Sequence, residues 1–481
     1  MKKIIAIILA CTLCAVSAVG CGNTQTAGGS EAKPESSSQQ AASSSKEEPS
    51  APAEKVTLRM WQRNSGKGGP IYEYLQEYNQ SQNEIEVQYE PYGENYENVV
   101  NIALASDDPP DIFEVQWSPI STVAQAGHIV PLDDVITDEV KKELHPSALV
   151  SKEFYYDGKL YSVPLRIGHM KLLYNKDLFR KAGLDPEKPP VTLEEMRDYA
   201  KKITEAGEGK AYGLGFYVNY GSIWYRYIDM CAIAAGETST YGFDFKTGRF
   251  DFSYAKKYFE NLVDIYNDGS MFPGATTLGV EQMRANFAQG TVGMMIDGSW
   301  MVTQFATNIP TEVDWDACYV PIFEGTKRAK DFMNCDVTFA VAAKGKHIDQ
   351  SKAVFKNILE NQMEFRKYGE ADSKTYMKAN TDEAFKLLPS DVTFRGLKNM
   401  NDVSNNSAFA IEPFKFIQLE GDNSETVFGN QFTLAIEGKG DIDAAIDDLT
   451  NRYNAALDKA LESGALTQEE IKPEGFDYYT R

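Results

Sequence analysis

Residues 157–183, DGKLYSVPLRIGHMKLLYNKDLFRKAG, constrain the architecture more than any other stretch of the chain. They open on an Asp157-Gly158 turn, run through an apolar extended segment containing Pro164, and close as a short helix stopped by Gly183. This is a strand that leaves one compact unit and enters another. The 481-residue length agrees, because an apolar share of 42% with five Trp, 26 Tyr and 25 Phe is enough for two or three cores.

Ahead of the body, residues 1–20 carry Lys2 and Lys3, an apolar run from Ile4, and small residues before Cys21, the pattern of a secretion signal. Residues 22–54 contain no Val, Ile, Leu, Met or aromatic residue. Such a segment cannot bury enough apolar surface to offset its ordering entropy, so it reads as a tether with a root-mean-square span of about 30 Å. The formal charge of −22 repels phosphate backbones and argues against nucleic acid as a partner. Cys231, Cys318 and Cys335 are too few for a disulfide framework and read as small buried hydrophobes, with a bridge between one pair left open.

The body begins with a strand at 56–60, Trp61 and a loop carrying Arg63, then a helix from Pro70. Alternation at Ile85, Val87 and Tyr89 gives a second strand, a helix through Val99 and Leu104 follows, and a third strand spans 111–115. Strands alternating with helices predict a mainly parallel sheet covered on both faces, with ligands at the carboxyl ends of its strands. Trp61, Glu114 and Trp117 fall at two such ends. Further on, Thr192 and Glu195 form a capping box, 253–269 is an amphipathic helix, and 441–463 is a longer one closed by Gly464. Residues 213–235 fit strand or helix, and 381–407 show no period.

There is no G-x-S-x-G elbow, H-E-x-x-H or P-loop, and His128, His145, His169 and His347 show no metal spacing. No catalytic residue, metal or cofactor is expected. Trp rings beside Asp, Glu and Arg are the composition a carbohydrate cleft needs, since sugars offer flat C–H faces and a rim of hydroxyls. Trp61, Trp117, Trp224 and Trp300 are the candidate platforms, each weighed against a place in the core, whereas Trp315 reads as scaffold. Arg166 interrupts the apolar crossover, where a lone charge is costly; it either meets ligand or pairs with an acid inside the hinge. His169 reads as a packed residue before a ligand contact.

Several motifs carry a family resemblance. The Asp157-Gly-Lys-Leu-Tyr turn with Pro164, the Leu-Tyr-Asn-Lys-Asp-Leu-Phe segment, and Phe287-Ala-Gln-Gly-Thr-Val-Gly-Met-Met-Ile-Asp-Gly-Ser-Trp300 resemble the extracellular solute-binding proteins that include maltose-binding protein. Gly293 stands where Ala is usual, a change small enough to preserve packing. Residues 334–341 resemble the family's return crossover, and the tetrad Ala18-Val-Gly-Cys21 resembles a lipobox in which Cys21 is lipidated. The resemblance implies an α/β, two-lobed periplasmic-binding-protein-like fold of type II, each lobe a mainly parallel sheet flanked by helices, with the ligand cleft at the hinge. After a signal peptide (1–20) and lipid-anchored tether (21–54), lobe 1 would take 55–165 and about 338–375, and lobe 2 would take 166–337 and about 376–481. It further implies a monomeric lipoprotein on the extracellular face of the cell membrane that hands a sugar, as an oligosaccharide, to the permease of an ATP-binding-cassette importer. Ligand contacts are expected from Trp61, Arg63, Glu114, Trp117, Arg166, Trp224, Asp297, Trp300 and Asp336. Two alternatives stay open: a secreted glycosidase using Glu114 and Asp297, and the same fold taking a polyamine.

Overall fold

Along β1 (Val56–Arg63) Leu58 and Met60 are fully buried, and along β2 (Ile85–Tyr92) buried Ile85 and Val87 alternate with exposed Glu86 and Gln88, the period-two alternation of half-covered strands. The computed structural model describes residues 55–63, 69–93, 95–115, 119–218 and 222–480. The expected leader, tether, Cys21 and Trp117 lie outside the described residues. In chain order the further strands are β3 (Ile112–Val115), the hairpin β4 (Tyr155–Tyr156) and β5 (Lys159–Leu160), β6 (Pro164–Gly168), β7 (Met170–Asn175) and β8 (Tyr212–Leu214). Next come the hairpin β9 (Phe243–Asp244) and β10 (Arg249–Phe250), β11 (Val292–Gly298), β12 (Trp315–Cys318), β13 (Asp331–Phe332), β14 (Asn334–Val341) and β15 (Asn406–Ser407).

Two sheets organise the molecule, one in the order β2-β1-β3-β14-β6 and one in the order β12-β7-β11-β8. Only His169 separates β6 from β7, and only Met333 separates β13 from β14, so the backbone changes sheets without an intervening helix. The sheets are mixed rather than mainly parallel: β1–β2, β1–β3 and β8–β11 are parallel, while β3–β14, β6–β14, β7–β11 and β7–β12 are antiparallel. Parallel pairing needs a helical crossover within one lobe, and the strands that arrive directly from the other lobe have none. Pairing carries the first sheet out to Gly168 and back from Asn334, several residues past the expected 165 and 338.

Each sheet has its own core. Leu58, Met60, Phe113, Phe339 and Phe355 meet around the first. Leu172, Trp224, Phe252, Tyr258 and Phe428 meet around the second, and burial contributes about 1.5–3 kcal/mol per large apolar side chain. The helix Leu193–Gly207 starts in the expected capping box, with Thr192 accepting from the Glu195 N–H. The helix Ile442–Glu462 is capped by Asp441 and buries Leu449, Tyr453 and Leu457. Residues 213–235 become the end of β8, a wide π-type helix (Ser222–Asp229) and an α-helix (Met230–Ala234). Their period was illegible because nearly every side chain is buried. The helix Ser424–Ile436 was not anticipated. Cys231, Cys318 and Cys335 are all free, the first and last buried and Cys318 partly so.

Gly293 corrects one sequence reading. A Cβ there would lie 2.9 Å from both the Gly213 carbonyl oxygen and Ile203 Cγ2, so alanine does not fit without movement. Gly293→Ala is expected to destabilise the fold by about 1–3 kcal/mol through overpacking, read as a lower denaturant midpoint with unchanged slope. A midpoint equal to wild type would show that Ile203 yields freely.

Candidate functional site

Beside the two crossings the sequence places a charged cluster against an aromatic ring. Arg166 of β6 faces Asp336 of β14 across the ladder, and the pair is bidentate, Nε to Oδ1 at 2.8 Å and Nη2 to Oδ2 at 3.0 Å. Asp372 Oδ2 lies 3.7 Å from Arg166 Nε. Burial works against the Arg166 charge, and Asp336, Asp372 and Glu370 more than overcome it, raising its pKa. A quarter of the side chain is still accessible, so the cation sits on a wetted surface rather than in a sealed core. Its guanidinium carbon lies 5.4 Å from the centroid of Trp300, a partly exposed ring packed against the second core. Gly168 has its place here, because the Asp336 carboxylate would lie 3.2 Å from any Cβ at that position. Arg166 thus takes the acid-paired alternative while remaining at the surface, and the structure brings Arg166, Asp336 and Trp300 together.

Asp297 lies beneath this surface. The strand β11 continues to Gly298, which pairs with Met170. That register seals the Asp297 side chain completely. Arg284 grips it bidentately at 2.8 and 3.0 Å, Arg226 Nε approaches to 3.6 Å, and the Gly298 N–H donates to it at 2.8 Å. Burial alone would raise its pKa, but the charges of Arg284 and Arg226 reverse the sign and hold it below the ordinary carboxylate range. Asp297 therefore orients Arg226, which is partly exposed with its guanidinium 5.5 Å from the Tyr217 ring. A sealed, doubly gripped carboxylate cannot serve a glycosidase as acid or nucleophile.

The remaining expected residues are distributed differently. Trp61 is 7% exposed in the first core with its ring 4.7 Å from Tyr92, and its indole N–H has no hydrogen-bond partner among the described residues. Glu114 is buried and accepts from the Arg63 N–H at 3.2 Å, while the Arg63 side chain is exposed at the end of β1. Trp224 is fully enclosed, stacked on Phe428 at 4.7 Å, and in this conformation offers no face to a ligand. His169 is also enclosed; burial pushes its pKa down to about 3, so the ring is neutral, and Nε2 meets the Met400 carbonyl at 2.5 Å. Beside the second sheet lie partly exposed aromatics that sequence reading missed, Tyr225, Tyr241 and Phe414. Tyr241 stacks on Phe414 at 3.9 Å, and its left-handed backbone (φ 56°) is held by its N–H donating to Asp229 at 2.8 Å. Asp229 is itself buried, which pushes its pKa up to about 8. For Tyr225 the aromatic density of 213–235 was the available signal; Tyr241 and Phe414 lie outside that stretch. Among the described residues no group of three or more His, Cys, Asp or Glu side chains is placed to hold a metal ion.

Two substitutions separate structure from recognition. Asp297→Asn removes the buried carboxylate from beside Arg284, which keeps only the exposed Glu281, and from beside Arg226, and should cost about 3–5 kcal/mol of stability at pH 7. Because the native pKa is depressed, the carboxylate's contribution is present above its unfolded value near 4 and is lost as pH falls through the native value. The gap between wild type and variant should therefore narrow in acid, measured by denaturant melts from pH 7 to 3; a constant gap would deny the charge its role. Trp224→Ala should cost about 3–5 kcal/mol as a core deletion, and a variant as stable as wild type would contradict that placement.

Comparison with known proteins adds an independent line. The family model for bacterial extracellular solute-binding proteins matches residues 64–365. Among curated relatives, the sn-glycerol-3-phosphate-binding periplasmic protein UgpB of Brucella abortus (strain 2308) is 27% identical over 288 residues, covering 56% of this chain and 63% of the relative. The chain thus spans about 63% of the length of that relative. A solved structure from work on xylan utilization by Caldanaerobius polysaccharolyticus superposes with a TM-score of 0.67 at 21% identity, covering 83% of this chain and all of the other. The maltose/maltodextrin-binding domain MalE of Bdellovibrio bacteriovorus, bound to maltotriose, gives 0.63 at 18%, covering 85% of this chain and all of that domain. These likenesses carry the two-lobed, type II periplasmic-binding-protein-like fold, and the chain belongs to the bacterial extracellular solute-binding protein family.

Proposed function

We propose that this chain captures a carbohydrate outside the cytoplasm and delivers it to the permease of an ATP-binding-cassette importer. The observation that carries this reading is the Arg166–Asp336 pair set against the Trp300 ring beside the crossings. A sugar needs a flat apolar face and fixed, paired donors and acceptors, and that pair supplies both without an unbalanced charge. Tyr225 and Tyr241 extend the aromatic surface, which favours a ligand of more than one sugar unit. Two superposed proteins are described with maltotriose or raffinose bound, which supports the same ligand class. In this reading lobe 1 comprises 55–168 and 334 to about 375, lobe 2 comprises 170–333 and about 376–480, and the lobes close on the ligand. No described helix is long and apolar enough to cross a membrane, and we place the anchor at a lipid on Cys21.

Thermal-shift screening against maltotriose, raffinose, xylan fragments and sn-glycerol-3-phosphate tests the ligand class, since a ligand of the folded state raises the melting midpoint. A sugar should stabilise the chain and be recovered unchanged; stabilisation by the phosphate ester alone would overturn the reading. With that sugar, Trp300→Ala should lose about 2 kcal/mol of binding, roughly thirtyfold, in calorimetric titration. Reduced stability with unchanged affinity would instead make Trp300 a packing residue. Intact-mass analysis of membrane-extracted protein should give a chain starting at Cys21 with acyl mass; an unacylated chain beginning elsewhere would refute the anchor.

A further inference from the structure

Besides the crossings, the lobes touch at a second place. The Lys152 N–H donates to the Ala410 carbonyl at 2.8 Å, and the Lys152 ammonium pairs with Glu470. The next residue, Glu153, reaches the Lys415 ammonium at 2.8 Å, and that ammonium is also 2.8 Å from Glu412. Phe154, beside Glu153, belongs to the first core, whereas Phe409 and Ile411 belong to the second, so the triad spans the two lobes. Its side chains are only 22%, 12% and 11% exposed for Lys415, Glu153 and Glu412.

We propose that Glu153, Lys415 and Glu412 form an ionic clasp in which Lys415 is a positioning residue, holding two like-charged carboxylates from opposite lobes together at the edge of the cleft. It rests on the proposed function only in that the clasped lobes border the proposed ligand surface. The ammonium is shared by both carboxylates, so their nearest oxygens are no further apart than two such contacts. Without the cation the two acids repel across a poorly hydrated gap. The groups around them do not replace it: Cys335 of β14, Tyr225 and Asp229 of the helix Ser222–Asp229, and the Lys152–Glu470 pair, whose cation is already engaged. Burial raises the Glu412 pKa, with the Glu153 charge adding to it, while Lys415 opposes the rise. Lys415 itself is held above the ordinary lysine range despite burial, by Glu412 and Glu153. In the wild type the ammonium already stands between the two carboxylates, so the clasp does not depend on protonating either one.

The test is hydrogen exchange of the ligand-free chain, which needs no sugar and so fails or succeeds apart from the proposed function. At pH 8, Lys415→Met should accelerate exchange in the peptides covering 151–154 and 409–416 by about tenfold or more over wild type at the same pH. At pH 5 the acceleration should fade, because one carboxyl takes up a proton and donates to the other. Lys415→Arg should stay near wild type, and the combination of Lys415→Met, Glu153→Gln and Glu412→Gln should restore protection at pH 8. Wild-type exchange in Lys415→Met at pH 8 would overturn the clasp. Acceleration that survives both pH 5 and the combined variant would also overturn it, since lost packing of the lysine stem then suffices. If Lys415→Met does not fold, Glu153→Ala removes the Lys415–Glu153 pair while leaving the Lys152 contacts; acceleration in the same peptides supports the clasp and unchanged exchange overturns it.

Discussion

Between Gly168 and Met170 the backbone passes from one sheet to the other over the single residue His169, and the hydrogen bonds around that residue keep both sheets in register. The His169 carbonyl accepts from the Ser299 N–H at 2.9 Å, the Ile167 N–H donates to the Ser373 carbonyl at 3.0 Å, and the imidazole is spent on Met400. With no loop to take up slack, the lobes cannot slide, and their relative freedom reduces to rotation about a few backbone bonds. Ile167, Met333 and Cys335 bury together at the same place, so both crossings share one small core. On β14 the chain also tolerates Val337 at φ 56°, a costly conformation for a β-branched residue, between the residue that grips Arg166 and the first residue paired with β3.

The electrostatics follow from that geometry. Crossing strands put Arg166 and Asp336 directly opposite each other in one ladder, and the continuation of β11 buries Asp297 near Arg226. Asp336 grips Arg166 and Asp297 grips Arg284 before any ligand arrives, while Arg226 stands 3.6 Å from Asp297. Beside the Trp300 ring the charge of Arg166 is balanced by Asp336, with Asp372 close by.

Local chemistry was legible in the sequence wherever a short segment decides its own conformation. The Asp157-Gly158 turn, both residues at positive φ, and the Thr192–Glu195 capping box needed no distant partner. The long terminal helix announced itself through a single apolar stripe. The strand order was not legible, because antiparallel pairing of β14 with β3 depends on contacts more than 200 residues apart. For the site, Arg166, Asp336 and Trp300 could be picked out as an odd charge and a ring at element ends. Asp297 and Trp224 looked similar in sequence. What removed them from the surface was tertiary: the continuation of β11 to Gly298 for the first, and the unanticipated helix carrying Phe428 for the second. Lys415 gave no sequence signal, since its meaning lies in an acid 262 residues away.

The three body cysteines bear on how such a chain comes to be made. Each is kept as a thiol by burial, which pushes Cys318 up to about 12 and raises the other two as well, so little thiolate forms at neutral pH. Proteins of this family work where oxidants are common and folding often waits on disulfide-forming enzymes. Among the described residues no disulfide ties one strand or helix to another. Among those residues the fold asks nothing of a cross-linking catalyst, since its packing, hydrogen bonds and ion pairs form whether or not the surroundings are oxidising.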